Sequence, residues 1–291
     1  GSIPLPATIN FLIMNDLTAI IISFHSDEKI FDCINSIGKN IKIIVIENSN
    51  DLVLKEKLEL NYQNVKCILS KKNLGYAAGN NLALSHVDTK YALIINPDVT
   101  LKNDTIDKFI LISKDHPEFG IIAPISKNEK YDNLDILNDK KIKEVSNVKG
   151  FAMFVNMKEI KKINYFDENF FLYFEEIDLC KRFNSAKIKI LIDPSLEVHH
   201  VGGSSHNTSL NYQMEISRNW HWMWSTFYYH KKHYGYFFAL IKIFPKFLSA
   251  LLKMIINSIL FKKNKSLIYK HRVLGIINSV LLNKSWYRPK F

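Results

Sequence analysis

The sequence predicts an α/β protein: a mainly parallel sheet flanked by helices, followed by a basic amphipathic helical segment. Three observations carry this. Short apolar runs rich in Ile and Val alternate with helical stretches over the first half of the 291 residues. Those runs are continuously apolar instead of alternating, the mark of parallel strands covered on both faces. The formal charge of +11 is also unevenly spread: from Ile216 onward there are 14 Lys plus Arg and no Asp or Glu, which leaves 25 of the 39 basic residues against all 28 acidic ones.

In order, "AIIISF" (Ala19 to Phe24) is the first strand, and a helix with Ile30, Cys33, Ile34 and Ile37 on one face follows it. "KIIVIEN" is the second strand, before a charged helix over 52–60. "VKCILS" is the third, "AAGNNLALSHV" a helix, and "YALIIN" the fourth strand. Strands separated by helices make βαβ units, whose ligands gather at the carboxyl ends of the strands. Three such ends carry polar groups: Ser23 to His25, Glu47 to Ser49 and Asn96 to Asp98.

Beyond Pro124 the pattern loosens, and 127–149 reads as a loop or short helices. "GFAMFVN" is a strand, "FLYFEEIDLCKRF" runs into a helix, "KIKILID" is a strand, and "VHHVGGSSHN" is a loop. From Trp220 the chain turns aromatic and basic. With Pro245 as a helix start, Lys246, Ser249, Lys253, Asn257 and Asn264 share one face. The lysines make this a poor bilayer span and a fair interfacial helix. A helical pair packed on the rest of the chain, or a homodimer interface, is the other reading.

The expected organisation is a leader over 1–13 ahead of Met14, a sheet domain over 14–215 and the basic segment over 216–291. Hydrophobic and charged fractions of 47% and 23% exclude wholesale disorder. Cys33, Cys67 and Cys180 have no metal-type spacing and suit a reducing compartment. The first residues have no basic region or cleavage site of a secretory signal. Basic segments seek phosphate ligands, nucleic acid or acidic membrane. The tail's amphipathic pattern ranks nucleic acid last.

The residues able to carry chemistry are Asp98, the group Glu175, Glu176 and Asp178, and the pair His199 and His200. Carboxylate plus imidazole can hold a divalent cation, and a further carboxylate can act as a base. A metal that bridges phosphates needs few protein ligands. Asp98 could instead cap a helix beginning near Leu101. Asp178 and Arg182, four residues apart, form a local helix pair.

Six segments, "IIISFHSDEKIFDCINSI", "IVIENSN", "NLGYAAGNNLAL", "YALIINPDV", "FDENFFLYFEEIDLCKR" and "HHVGGSS", occur in the order and approximate spacing of family 2 glycosyltransferases. Over Thr18 to Gly235 the chain resembles that family, and most of all its bacterial rhamnosyltransferase-like subgroup. The resemblance implies a GT-A fold, a nucleotide-diphosphate sugar donor, Mg²⁺ or Mn²⁺, and inversion by direct displacement.

It also implies roles. Phe24 lies against the base, and Glu47, where relatives usually have Asp, meets the base or ribose. Asn73, Gly75, Gly79 and Asn81 match the donor loop, where missing side chains admit a nucleotide; turn geometry and tight helix packing explain the glycines equally simply. Asp98 matches the last acid of the metal motif, whose first position here is the neutral Asn96. Glu176, where relatives have Asp, matches the catalytic base, with Glu175 its competitor. His199, ahead of Gly202 and Ser204, matches a histidine that completes the metal site, with His200 its competitor. Arg218, Lys231, Lys232 and His233 match a basic stretch that could offset leaving diphosphate.

The expected function is inverting, metal-dependent transfer from a UDP- or dTDP-sugar to a saccharide, lipid-linked acceptor in surface polysaccharide synthesis. The place is the cytoplasm, peripherally at the inner face of the membrane, with an anionic membrane surface or a second copy as partner. The alternative is a catalytically weakened protein that docks a partner transferase.

Overall fold

The computed structural model describes residues 16–26, 28–126, 141–200 and 211–288. The first apolar run becomes β1 (Leu17–Ser23), every residue of it buried. The chain then returns through α1 (Lys29–Ile37), which buries Ile30, Cys33, Ile34 and Ile37, the face its spacing predicts. β2 (Lys42–Glu47) leads into α2 (Leu52–Asn61), capped by the Asp51 carboxylate, which accepts from the Leu54 amide at 2.9 Å. β3 (Val65–Leu69), α3 (Gly75–Leu84) and β4 (Tyr91–Ile95) complete the first half. These strands pair in parallel in the order β3-β2-β1-β4.

The second half turns the sheet mixed. It contributes β5 (Val99–Leu101), α4 (Thr105–Asp115), β6 (Phe119–Ile125), β7 (Lys143–Glu144), β8 (Ala152–Asn156), α5 (Met157–Lys162), α6 (Glu175–Ser185) and β9 (Lys189–His200). β8 runs antiparallel between β4 and β6, while β6 and β9 are parallel. The full order is β3-β2-β1-β4-β8-β6-β9-β5, with β7 on β9. No helix begins near Leu101, because β5 holds Val99–Leu101 against β9 and α4 starts only at Thr105. Pro194 sits where the β6–β9 register slips, between the pairs Ala123↔Ile192 and Ile125↔Glu197. A residue without an amide proton cannot continue the ladder.

Two compact units emerge: Gly1–Leu74, Ala78–Phe166 and Leu179–Asn207 form one, and Gly75–Ala77, Asp167–Asp178 and Thr208–Phe291 the other. The first holds the sheet and one continuous apolar core, in which Phe154 lies between the rings of Tyr91, Phe109 and Phe119. The second is helical: α7 (Asn211–Tyr234), α8 (Tyr236–Ile259) and α9 (Lys263–Val280). Met223, Phe227, Ala239, Ile243 and Ile276 form its apolar centre.

Pro245 does not start a helix. It lies inside α8, which begins at Tyr236 after Gly235 in the left-handed region (φ 90°). The face inferred from Pro245 is therefore divided, with Asn264 on α9. The end of the chain is tied to α7 by His221. Burial holds this ring neutral, its pKa down at about 3. Its Nε2 donates to the Tyr287 carbonyl at 2.9 Å and its Nδ1 accepts from Ser285 Oγ at 3.0 Å. Among the described residues no helix is long and apolar enough to cross a membrane.

Candidate active site

In the sheet unit, parallel pairing aligns the carboxyl ends of β2, β1 and β4, with Ser23 opposite Glu47 and Ile21 opposite Ile95. The polar groups that follow these strands therefore share one edge, the usual place for a ligand in such a sheet. β4 ends in a tight turn in which the Val99 amide donates to the Asn96 carbonyl at 3.1 Å, with Pro97 and Asp98 in the middle. Pro suits the first of those two positions.

The turn places Asp98 in a buried corner. Its Oδ1 lies 3.6 Å from His200 Nε2 and has no hydrogen-bond donor among the described residues. Asn96 Oδ1 is likewise buried without a donor among them. The His200 ring stacks on Phe151 at 4.8 Å, and the Phe151 carbonyl accepts from the Asn96 amide at 2.9 Å. Buried carboxylate and amide oxygens without donors are unusual, and a cation beside Asp98 would satisfy its Oδ1. No group of three or more His, Cys, Asp and Glu able to hold a metal occurs among the described residues. Asp98 with an imidazole beside it has the chemistry to hold a metal whose other ligands come from a phosphate.

The resemblance points to His199, and the strand brings its neighbour instead. Pairing of β5 with β9 sets Val99 against His200 and Thr100 against His199. Adjacent strand residues face opposite ways, so His200 is buried beside Asp98 and His199 is exposed. Gly202 and Ser204 lie outside the described residues.

Glu47 is turned inward. Its Oε1 accepts from the Ser49 amide at 3.0 Å and from the Ser49 hydroxyl, and its Oε2 from the Asp51 amide at 2.6 Å. Fully buried, it orders the loop before α2 and offers a nucleotide no exposed edge. Phe24, half-buried at the end of β1, packs edge-on against His25.

The donor-loop residues are largely engaged in packing. Asn81 clamps the Phe166 backbone, donating to its carbonyl at 2.9 Å and accepting from its amide at 3.0 Å. A Cβ on Gly79 would lie 3.1 Å from Ile22 and 3.3 Å from Asn48 Nδ2, so this glycine lets α3 approach β1. Gly75 has φ 81°, and a Cβ there would sit 2.3 Å from the Phe171 carbonyl oxygen. Asn73 stays half-exposed before the helix.

The helical unit holds the paired acids. Tyr173 and Phe174 have φ of 69° and 70°, consecutive side-chain-bearing residues in a region normally left to Gly and Asn. Such strain clusters at functional sites, and no composition signal in the sequence announces it. Rings hold the turn in place: Trp222 lies 5.1 Å from Tyr173 and 5.4 Å from Phe174, and Tyr229 5.4 Å from Phe174.

Glu175 and Glu176 follow at the first turn of α6. Burial, then the neighbouring Glu176 charge, pushes the Glu175 carboxyl well above the usual range, so it keeps its proton to higher pH. Glu176 is half-buried. Burial raises the Tyr173 hydroxyl as well; Arg218 opposes that shift and the two glutamates add to it.

The basic stretch is already partnered. Lys232 Nζ lies 2.6 Å from Asp178 and 2.8 Å from Asp167, and His233 Nε2 is 2.8 Å from Asp178. Asp178 thus binds α6 to α7, while Arg182 donates to the Ile163 carbonyl. Among the basic candidates, Arg218 acts on Tyr173 of the turn before the glutamates.

A family profile described as Glycosyl transferase family 2 matches residues 18–190. The rhamnosyltransferase WbbL of Escherichia coli K12 is 26% identical over 247 residues, 72% of this chain and 91% of that protein. The low-salt glycan biosynthesis hexosyltransferase Agl10 of Haloferax volcanii is 26% identical over 200 residues, 61% of this chain. The match spans 64% of that relative's length.

Among solved structures, the mannosyltransferase PcManGT of Pyrobaculum calidifontis, in complex with GDP-Man and Mn²⁺, superposes with a TM-score of 0.59 at 11% identity. That match covers 91% of this chain and 87% of the other. Staphylococcus aureus TarS 1–349 gives 0.54 at 12%, covering 94% and 93%. These likenesses show the fold, the GT-A arrangement that the motifs implied.

Proposed function

The chain belongs to glycosyl transferase family 2, and on that footing we propose that it moves a hexose or deoxyhexose from a UDP- or dTDP-linked donor to a saccharide, lipid-linked acceptor in surface polysaccharide synthesis, at the inner face of the membrane. The sugar class follows the names of its hexosyl- and rhamnosyltransferase relatives. Transfer inverts the anomeric carbon in one displacement. The acceptor oxygen bonds to C1 as the bond from C1 to the diphosphate oxygen breaks, and the acceptor's proton passes to a carboxylate.

Glu176 is that base. A base must present a carboxylate to the attacking hydroxyl; Glu176 is half-buried, whereas Glu175 beside it is buried, its carboxyl pushed well above the usual range. Arg218 supplies positive charge near the glutamate turn. Phe24 and Asn73 would meet the nucleotide, whereas Glu47, Gly75, Gly79 and Asn81 support the loops around it. A bound Mg²⁺ or Mn²⁺ would neutralise charge on the departing diphosphate. Asp98 would hold it with His200 beside it and Asn96 as a neutral oxygen donor.

The observation that carries this reading is the buried Asp98 Oδ1, without a donor among the described residues and 3.6 Å from His200, at the ligand edge of the sheet. Calorimetry with UDP-, GDP- and dTDP-sugars, with and without Mn²⁺, tests it. The expected result is weak Mn²⁺ binding by the protein alone that tightens with UDP or dTDP. Binding of no nucleotide sugar, with Asp98→Ala indistinguishable from the parent, sinks it.

A further inference from the structure

The outward face of α8 has no task in the transfer reaction. Phe237, Ile241, Phe244, Leu248, Ile255 and Ile259 recur at steps of 4, 3, 4, 7 and 4 residues, which stacks them on one side of the helix. All six are exposed, Phe237 by 81% and Ile241 by 72%. The opposite side buries Ala239, Ile243 and Ala250. α8 thus has two apolar faces, and among the described residues of its own unit only one is covered. The helix that carries this stripe runs 24 residues, about 36 Å, and a continuous exposed apolar stripe along it marks an interaction surface.

A shallow groove of about 520 Å³ between α8 and α9 continues the stripe. Ile255 and Ile259 form one wall, Val273 and Leu274 another, and Lys270 also lines it.

Charge selects the occupant. Exposed Phe238, Leu252 and Ile256 widen the stripe round the helix, and Lys242, Lys246 and Lys253 follow on that side, between the widened stripe and the buried face. Lys242 rests over the Phe238 ring at 5.5 Å and Lys253 over Tyr269 at 5.7 Å. From Ile216 to the end the sequence has no acidic residue. A second copy laid on this face would bring lysine rows together with no carboxylate to pair them. An anionic bilayer presents negative headgroups and an apolar interior side by side along the whole helix.

We propose that α8 lies in the plane of an anionic lipid bilayer, its Phe237-to-Ile259 stripe in the acyl boundary and its lysines among the headgroups. No described helix can span the membrane, so the attachment is reversible and in-plane. This surface stands independently of the transfer reaction.

Flotation of the full chain tests it, with phosphatidylcholine vesicles and with vesicles containing about one third phosphatidylglycerol. The protein should rise with the anionic vesicles and remain behind with the neutral ones. The triple variant Lys242→Gln, Lys246→Gln, Lys253→Gln should partition on the order of 100-fold less. Ile241→Ser with Leu248→Ser should abolish flotation without lowering the melting temperature, since both side chains are already exposed. Donor binding, measured on the same samples, should be unchanged in every variant, so failure here and failure of the transfer reading are separable. Absence from both vesicle types, or a triple variant that floats like the parent, overturns the proposal. So does a dimer in sedimentation equilibrium that the double serine variant dissolves, which would assign the face to a second copy.

Discussion

The two units hold their acids in opposite ways. In the sheet unit a single carboxylate, Asp98, is buried beside an imidazole and a neutral amide oxygen, on a tight turn held by Val99 and by the backbone of Phe151. In the helical unit two carboxylates are adjacent in sequence, on a helix start reached through strained backbone, and burial and the second carboxylate push the first well above the usual range. A lone acid with an imidazole partner is suited to attract a cation. A pair that shares its charge leaves one member for proton transfer. The contrast underlies the proposed division between a binding role for Asp98 and a base role for Glu176.

The sharpest way to break that division is Glu176→Gln. It should lower turnover by about 10²- to 10⁴-fold while the donor dissociation constant stays within about threefold, as read by initial rates and calorimetry. If Glu175→Gln costs more turnover than Glu176→Gln, the two roles are exchanged. Next in size is Gly75→Ala, where the added Cβ meets the Phe171 carbonyl at 2.3 Å at a φ of 81°. Strain and overpacking together should cost about 3 kcal/mol, seen as a melting temperature lower by roughly 5–10 °C.

Asp98→Asn should weaken Mn²⁺-dependent donor binding by about 10- to 100-fold, and leave the residual metal-free binding unchanged. His200→Gln should raise the Mn²⁺ concentration needed for half-maximal activity by roughly tenfold, whereas His199→Gln should change it less than about twofold. Equal effects from both histidines would remove the strand-parity argument.

The smallest effect is the pH dependence of stability. Glu175 binds its proton more tightly folded than unfolded. Its contribution is fully present below the ordinary value of 4.5 and is lost as pH rises through the raised one. Thermal melts of Glu175→Gln should match the parent near pH 4 and exceed it at pH 7 by a margin on the order of 1 kcal/mol. A margin that instead grows toward acid pH would contradict the assignment.

Much of this was legible in the chain because it depends on neighbours a few residues apart. Continuous Ile- and Val-rich runs and the buried face of α1 follow from local periodicity, and four aligned strands bring Asn96 and Asp98 to the ligand edge. The acids and the His pair were visible as residue types at element ends. The acid-free tail was visible as charge.

What the sequence by itself determined is the family, the strand–helix alternation and the short list of acids and histidines, because local pattern and motif order need no knowledge of distant contacts. Only the tertiary structure decided that β8 runs antiparallel and that Pro245 lies within a helix. Pairing of β5 with β9 aims His200 at Asp98. Ring packing from α7 holds Tyr173 and Phe174 at positive φ. Burial turns Glu47 inward and raises the Glu175 carboxyl above its usual range. Each of these outcomes depends on strand register, on burial or on a partner far along the chain, none of which a local window contains.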